Sequence, residues 1–196
     1  MEKITNINQL DLNKLYTYAD YLTWQFQERV ELIRGKIFKM SPAPKRVHQE
    51  VSRQLQYFIF HFFHKTDCKA FNAPFDVRLF KKTKKDQEIE TVVQPDICVI
   101  CDQEKLDDRG CIGAPDLIVE ILSPSTKNKD IKDKFELYEQ NEVKEYWIVD
   151  PSNKTVIKYT LEQGKYIGDK IRGEEEMLSS TLFPELSINL SEVFEE

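Results

Sequence analysis

Two acids stand where a chain of this pattern offers them least solvation: Asp96 in QPDICVIC (94–101) and Glu120 in PDLIVEIL (115–122). Both segments are near-continuous aliphatic or β-branched runs, as expected of strands buried on both faces. An ionised carboxylate removed from water costs several kcal/mol unless a partner or a metal compensates it. Alternate residues of a strand share a face, so Asp96 projects with Gln94 and Cys98, and Glu120 with Asp116, Ile118 and Leu122. If the two strands are neighbours, the carboxylates meet on one sheet face. There each raises the other's pKa unless a cation sits between them. Mg²⁺ suits such a pair, because it takes one or two carboxylates and completes its shell with water and phosphate oxygens. The competing reading gives each acid a nearby lysine or a backbone group to cap.

The segment NKDIKDKFELYEQN (128–141) brings a cation to the same problem. Placed on a helix at 100° per residue, Ile131, Phe135, Leu137 and Tyr138 span about 160° of the surface. Lys134 falls inside that apolar stripe and Lys132 outside it. A lysine so placed either snorkels out along its stem or carries its ammonium to the two acids. Two carboxylates and a lysine form the set that metal-assisted phosphodiester hydrolysis requires. Gln94, on the face of Asp96, would orient a water or a phosphate, or is simply a packed polar residue. His48, at the start of a helix, would contact phosphate, or lies on the surface. His61 and His64 stand three apart on an aromatic-rich helix, and without further cysteine or histidine ligands packing is preferred over zinc. Ser123, Ser125 and Thr126 suit a helix cap or a phosphate contact. No nucleophile elbow, Walker loop or dinucleotide fingerprint occurs.

The elements that must position these residues follow from periodicity. A helix is predicted over 11–28, a hairpin in RVELIRGKIFKMSP (29–42), and a helix from His48 to His64 with apolar residues at 51, 55, 58, 59 and 62. KAFNAPFDVRLF (69–80) reads as a strand interrupted at Pro74, and KEYWIVDP (144–151) as a buried strand stopped by Pro151. A hairpin around LEQGKY (161–166) and a C-terminal segment complete the chain. The passage from 115 to 149 places two strands parallel by a right-handed crossover. The earlier strands are close enough to form an antiparallel meander. The expected class is α/β, with a central mixed β-sheet flanked by helices.

At 196 residues, 40% hydrophobic and 32% charged, the chain is expected to form one globular domain spanning 1–196. No run approaches a membrane span and MEKITNINQLDLNKLY carries no secretory pattern, so a cytoplasmic location is expected. The net charge of −6 does not advertise nucleic-acid binding. Local lysine runs, KKTKK (81–85) and KNKDIKDK (127–134), would nevertheless steer a polyanion, although KKTKK by itself reads as a solvated loop. Cys98 and Cys101 lie three apart on a strand and so face opposite ways, which disfavours a shared metal or a redox pair. All four cysteines, Cys68 and Cys111 included, are expected to be reduced.

Pro95–Asp96, followed 24 residues later by Glu120, resembles the PD-(D/E)XK nuclease superfamily. More specifically, ELIRGKIFKMSPAPKRVHQ, FDVRLF, VVQPDICVICD, LDDRGCIGAPDLIVEILSPST and KFELYEQNEVKEYWIVDP, in that order, look like the Uma family of restriction-endonuclease-like proteins, over roughly residues 15 to 170. The resemblance implies a restriction-endonuclease-like fold, with an N-terminal helix and hairpin and a C-terminal hairpin extension. It also implies an endonuclease that cuts DNA with Mg²⁺ or Mn²⁺. A homodimer is expected because cutting both strands of a duplex favours two sites.

The superfamily pattern places a lysine two residues after the acid, where this chain has Leu122. In the Uma family that role is assigned to the following helix, which resembles the placement of Lys134. By this resemblance Asp96 and Glu120, joined by Glu31 of RVELIRG, hold the metal, and Lys134 positions the attacking water or stabilises the transition state. Glu31 read alone is equally an exposed hairpin glutamate. Asp116 is too close to Glu120 to lie on a preceding strand and reads as an end-of-strand residue. Two alternatives remain. One is a nucleic-acid-binding or assembly module without catalysis, which would be indifferent to Mg²⁺. The other is a structural subunit whose acids are paired with Lys134, which would tolerate joint neutralisation of Glu120 and Lys134.

Overall fold

The computed structural model describes residues 3–40, 45–80, 84–123 and 130–195, with the side chains of 130 and 131 outside that description. The N-terminal part holds a short helix α1 (Tyr18–Tyr21), a hairpin β1 (Val30–Ile33) and β2 (Lys36–Lys39), the long helix α2 (Arg46–Phe63), and strands β3 (Lys69–Asn72) and β4 (Val77–Leu79). The middle is all strand: β5 (Thr91–Val93), β6 (Ile97–Ile100), β7 (Leu106–Asp107), β8 (Gly110–Ile112) and β9 (Leu117–Ile121). A π-helical turn, Asp130–Lys134, leads into α3 (Phe135–Gln140), followed by β10 (Glu145–Asp150), β11 (Thr155–Glu162), β12 (Lys165–Gly168) and β13 (Arg172–Gly173). Strands β14 (Met177–Ser179) and β15 (Ser187–Asn189) form a last hairpin before α4 (Leu190–Val193).

The principal sheet is mixed, ordered β12-β11-β10-β9-β6-β3 with β13 on β11. β9 and β10 run parallel, as the strand–helix–strand passage requires, and β6 lies antiparallel to β9. Pleat alternation divides the core. Ile97, Val99, Leu117, Val119 and Ile121 face α2 through Val51, Leu55, Ile59 and Phe63. Cys98, Ile100, Ile118, Leu122, Tyr146 and Ile148 face the other way, toward Leu137 and Tyr138 of α3 and Val77, Leu79 and Val93 of a second sheet.

That second sheet, ordered β2-β1-β5-β4-β8-β7, adds to the expected central mixed sheet a layer that periodicity did not indicate. The stretch 69–80 is not one interrupted strand. Its halves β3 and β4 enter different sheets, parting after the cis Ala73–Pro74 bond. The proline lacks the N–H that a continuous ladder would need.

The helix predicted over 11–28 is also mostly absent. Only Tyr18–Tyr21 is helical, capped by Thr17 and Asp20. Tyr16 and Tyr18 are drawn into a separate core with Ile7, Val30, Leu32 and Val92, while Leu12 and Leu15 are left exposed. Aromatic residues and threonine are weak helix formers, so tertiary packing decides here. The lysine run is described only at Lys84 and Lys85, and residues 124–129, with Ser125 and Thr126, lie outside the described part.

The cysteine expectation is corrected as well. Cys68 and Cys101 form a disulfide, while Cys98 and Cys111 are buried free thiols. The β3–β6 ladder explains the pairing: Lys69 faces Ile100, so one step further Cys68 faces Cys101. No helix among the described residues is long and apolar enough to cross a membrane.

The C-terminal hairpin is tied to the principal sheet by one buried acid. Glu145 of β10 is 0% exposed and accepts from the indole Nε1 of Trp147 (2.6 Å), Ser180 Oγ (3.0 Å) and the amides of Thr181 (2.9 Å) and Leu182 (2.7 Å). Removing that acceptor strands the buried donors of Trp147 and Ser180 at once and frees the amides of Thr181 and Leu182. Glu145→Ala is therefore expected to lower unfolding stability by about 3 kcal/mol or more, read as a drop in the urea midpoint.

Candidate active site

The β6–β9 register pairs Ile97 with Val119 and Cys98 with Ile118, so the next step places Asp96 opposite Glu120. The two acids thus come from neighbouring strands. Glu120 lies within β9, and Asp96 lies just outside the start of β6. Asp96 Oδ2 accepts from the amide of Ile121 at 2.8 Å and faces His48 Nε2 of α2 at 3.5 Å.

Lys134 closes the cluster from the opposite layer. Its side chain does not snorkel, because the residue is only 5% exposed. The ammonium lies 2.9 Å from Glu120 Oε1 and 3.0 Å from Glu31 Oε1. Tyr138, one turn further along, donates to the same Glu120 oxygen at 2.6 Å. Glu31 is therefore neither an exposed hairpin residue nor remote from the acids. All of β1 is buried, and the amide of Gln94 also donates to Glu31 Oε1 at 2.9 Å. The π-helical turn ends at Lys134, and such local widening of a helix is frequent where a side chain must be aimed at a functional site.

Tyr138, apolar core by its helical phase, is a site residue as well. Its four-residue spacing from Lys134, on one helix face, was the available signal. Gln94 does not point its side chain at Asp96. Its amide Nε2 donates to Asp76 Oδ1 (2.8 Å), and its Oε1 accepts from Arg29 (2.8 Å from Nη2). Asp116 stands apart, bound to Lys144 (2.6 Å) and to the amide of Cys101 (2.8 Å). His61, in the last turn of α2, and His64, just beyond it, are exposed.

Could this set hold a metal? Asp96 and Glu120 are hard oxygen donors on opposed positions of neighbouring strands, close enough for the charge of Asp96 to act on Glu120, and Mg²⁺ needs no more than one or two protein carboxylates. The pair fits that ion. Glu31, expected to join the two as a further metal-binding acid, does not complete a preformed three-acid site. Among the described residues no group of three or more histidine, cysteine or acidic side chains is disposed to hold a metal. Glu31 has turned to Lys134 and the Gln94 amide instead.

Comparison with known proteins agrees with this architecture. A family model described as "Putative restriction endonuclease", Uma2, matches residues 18–191. A crystal structure of a "putative nuclease belonging to DUF820" from Anabaena variabilis superposes with a TM-score of 0.70 at 20% identity, over 91% of this chain and 97% of that one. The fold is thus a restriction-endonuclease-like one. An uncharacterised protein of Synechocystis, slr1290, is 29% identical over 124 residues, 62% of this chain and 61% of that protein's own length.

The electrostatics of the cluster are dominated by burial. Burial pushes the Glu120 carboxyl up to about 8 from an ordinary 4.5; Lys134 pulls it down, and the charges of Asp96 and Glu31 push it further up. For His48, burial disfavours the charged ring, but Asp96, the Ile121 main chain and the charge of Glu120 outweigh it and raise the pKa above 6.5.

The sign for Glu120 follows from linkage. The folded state holds a proton that the unfolded state releases, so stability conferred at low pH is lost as pH rises through about 4.5 to about 8. In chelator-treated protein, the melting temperature is expected to fall across that window. Glu120→Gln, neutral throughout, should flatten the slope. An unchanged slope would assign the titration to another group.

Proposed function

The chain belongs to the Uma2 family, and from that premise we propose that it is a metal-dependent endonuclease that hydrolyses phosphodiester bonds of DNA. The observation that carries this reading is a lysine ammonium buried between Glu31 and Glu120, with Asp96 opposite Glu120 on the adjoining strand. Glu31 and Glu120 share one ammonium and Asp96 lies opposite Glu120, so once Glu120 ionises the negative charge exceeds what Lys134 offsets, and a divalent cation relieves it. Asp96 and Glu120 would hold Mg²⁺ or Mn²⁺, which when bound supplies Lewis acidity at the scissile phosphate.

The chain's own residues do the rest. Lys134, carried on a packed helix, holds its charge beside the reacting phosphoryl group and is preorganised for negative charge that develops there. Glu31 and Tyr138 fix the ammonium and the Glu120 carboxylate through the contacts already described. His48 orients Asp96 from the side of α2. Buried polar networks satisfied in this way restrict their members to one geometry. A cytoplasmic homodimer, with one site for each strand of a duplex, belongs to the same reading.

A second reading has a specific observation in its favour. Lys134 already satisfies Glu31 and Glu120, and a closed ion-pair cluster of this kind suits a nucleic-acid-binding or assembly module that never takes up metal.

Two measurements separate the readings. Supercoiled DNA should be nicked and linearised with Mg²⁺ or Mn²⁺ but not with chelator, and Glu120→Ala and Lys134→Ala should each lower the rate by at least about a hundredfold. Millimolar Mg²⁺ should also raise the melting temperature of the native protein and not that of Glu120→Ala. Absence of both cutting and metal-dependent stabilisation would leave the binding module as the better account.

A further inference from the structure

Gln94 links the buried cluster to a cation that the mechanism above does not use. Its main-chain amide donates to Glu31 Oε1, while its side-chain oxygen accepts from Arg29 Nε (3.3 Å) and Nη2 (2.8 Å). The orientation of that side chain is dictated. Its Nε2 faces the Asp76 carboxylate at 2.8 Å and the Tyr21 hydroxyl at 3.4 Å, and a carboxylate can only accept, so Oε1 is left to Arg29. Arg29 is thereby held by a two-pronged contact to a neutral acceptor.

The partner matters. Arg29 forms no ion pair with a carboxylate among the described residues; Asp76, the acid in this network, takes the Gln94 amide instead. The arginine is exposed and keeps N–H donors beyond those given to Gln94, although its charge also acts on Asp76. It also lies on the side of the site. Met40 donates to the Arg29 carbonyl, which continues the β1–β2 ladder by one step. Arg29 and Glu31 are then alternate residues on one face, about 7 Å apart along the strand.

A cluster with three carboxylates repels a polyanion, so a substrate phosphate needs an outward cation near the site. An oriented guanidinium is the side chain best matched to phosphate oxygens. We propose that Arg29 binds a backbone phosphate of the DNA substrate beside the reacting one, with Gln94, Asp76 and Tyr21 as positioning residues. The assignment rests on the nuclease reading.

Binding of a labelled DNA duplex, with Ca²⁺ in place of Mg²⁺ so that it is held and not cut, tests the contact across a salt series. Cleavage with Mg²⁺ is measured in parallel. Arg29→Ala should reduce the slope of log K against log salt by about one and lower kcat/KM at least tenfold. Arg29→Lys should keep the slope and recover only part of the rate. The melting temperature should not move, because the side chain is exposed.

An unchanged salt slope in Arg29→Ala, whatever happens to cutting, overturns the phosphate contact and leaves the nuclease reading standing. A reduced slope with wild-type cutting places the phosphate away from the reacting one and also overturns the assignment. A native protein that neither binds nor cuts DNA removes the nuclease reading and this inference with it.

Discussion

The structure depends on one buried charge arrangement: a single ammonium that must satisfy two glutamates delivered by different sheets. Glu120 belongs to the principal sheet, Glu31 to the second, and Lys134 to the helical turn packed between them. Each ion taken from water costs several kcal/mol after relaxation, and the cost is offset only when the partners arrive in good geometry. The layers therefore cannot dock in just any register. Leu137 and Tyr138 supply the apolar contact that seats α3, and Tyr138 then adds a hydrogen bond to the Glu120 oxygen that Lys134 touches.

The second sheet supplies one of the two partners of that ammonium. β1 is a short strand whose four residues are all buried, unusual for a hairpin whose mate β2 is largely open to solvent. Val30, Leu32 and Ile33 are buried in apolar clusters while Glu31 reaches the ammonium, and the Gln94 amide, just after β5, also donates to that carboxylate. The segment between β5 and β6 thus does two jobs within three residues. Gln94 braces Glu31, and Asp96, just before β6, stands opposite Glu120.

Much of this was legible from sequence, and the reasons differ by residue. Asp96 and Glu120 were visible because a charge inside an unbroken apolar run has no cheap explanation. Lys134 was visible because its helical phase put it among Leu137 and Tyr138, and the 5% exposure agrees with that phase. Glu31 was ambiguous because a four-residue strand gives too little alternation to tell a buried face from an open one.

The remainder was hidden in pairings between distant segments. The disulfide of Cys68 with Cys101 bridges 33 residues and follows from a ladder register, which no local spacing encodes. The second sheet was hidden for the same reason: β4 and β8 pair in parallel, Val77 with Cys111 and Arg78 with Ile112, although the partners are far apart in chain order. The N-terminal segment failed in the opposite sense. Its local pattern looked helical, yet Tyr16 and Tyr18 gain more by packing on Val30, Leu32 and Val92 than a helix with exposed aromatics would offer.

Placing the lysine on a helix and not two residues after the acid has a physical consequence. On the strand itself, acid and lysine would be fixed together by the pleat, and the pair would exist wherever the strand exists. Here Leu122 occupies that strand position and packs in the core, while the ammonium arrives from the opposite layer. The constellation therefore assembles only when the π-helical turn, α3 and β1 have docked on the principal sheet. Partial opening of that layer separates Lys134 from both glutamates at once and leaves uncompensated carboxylates that water must reach. In such an arrangement the charge cluster and the docking of the layers are one cooperative unit, so loss of the site and loosening of the fold are expected to travel together.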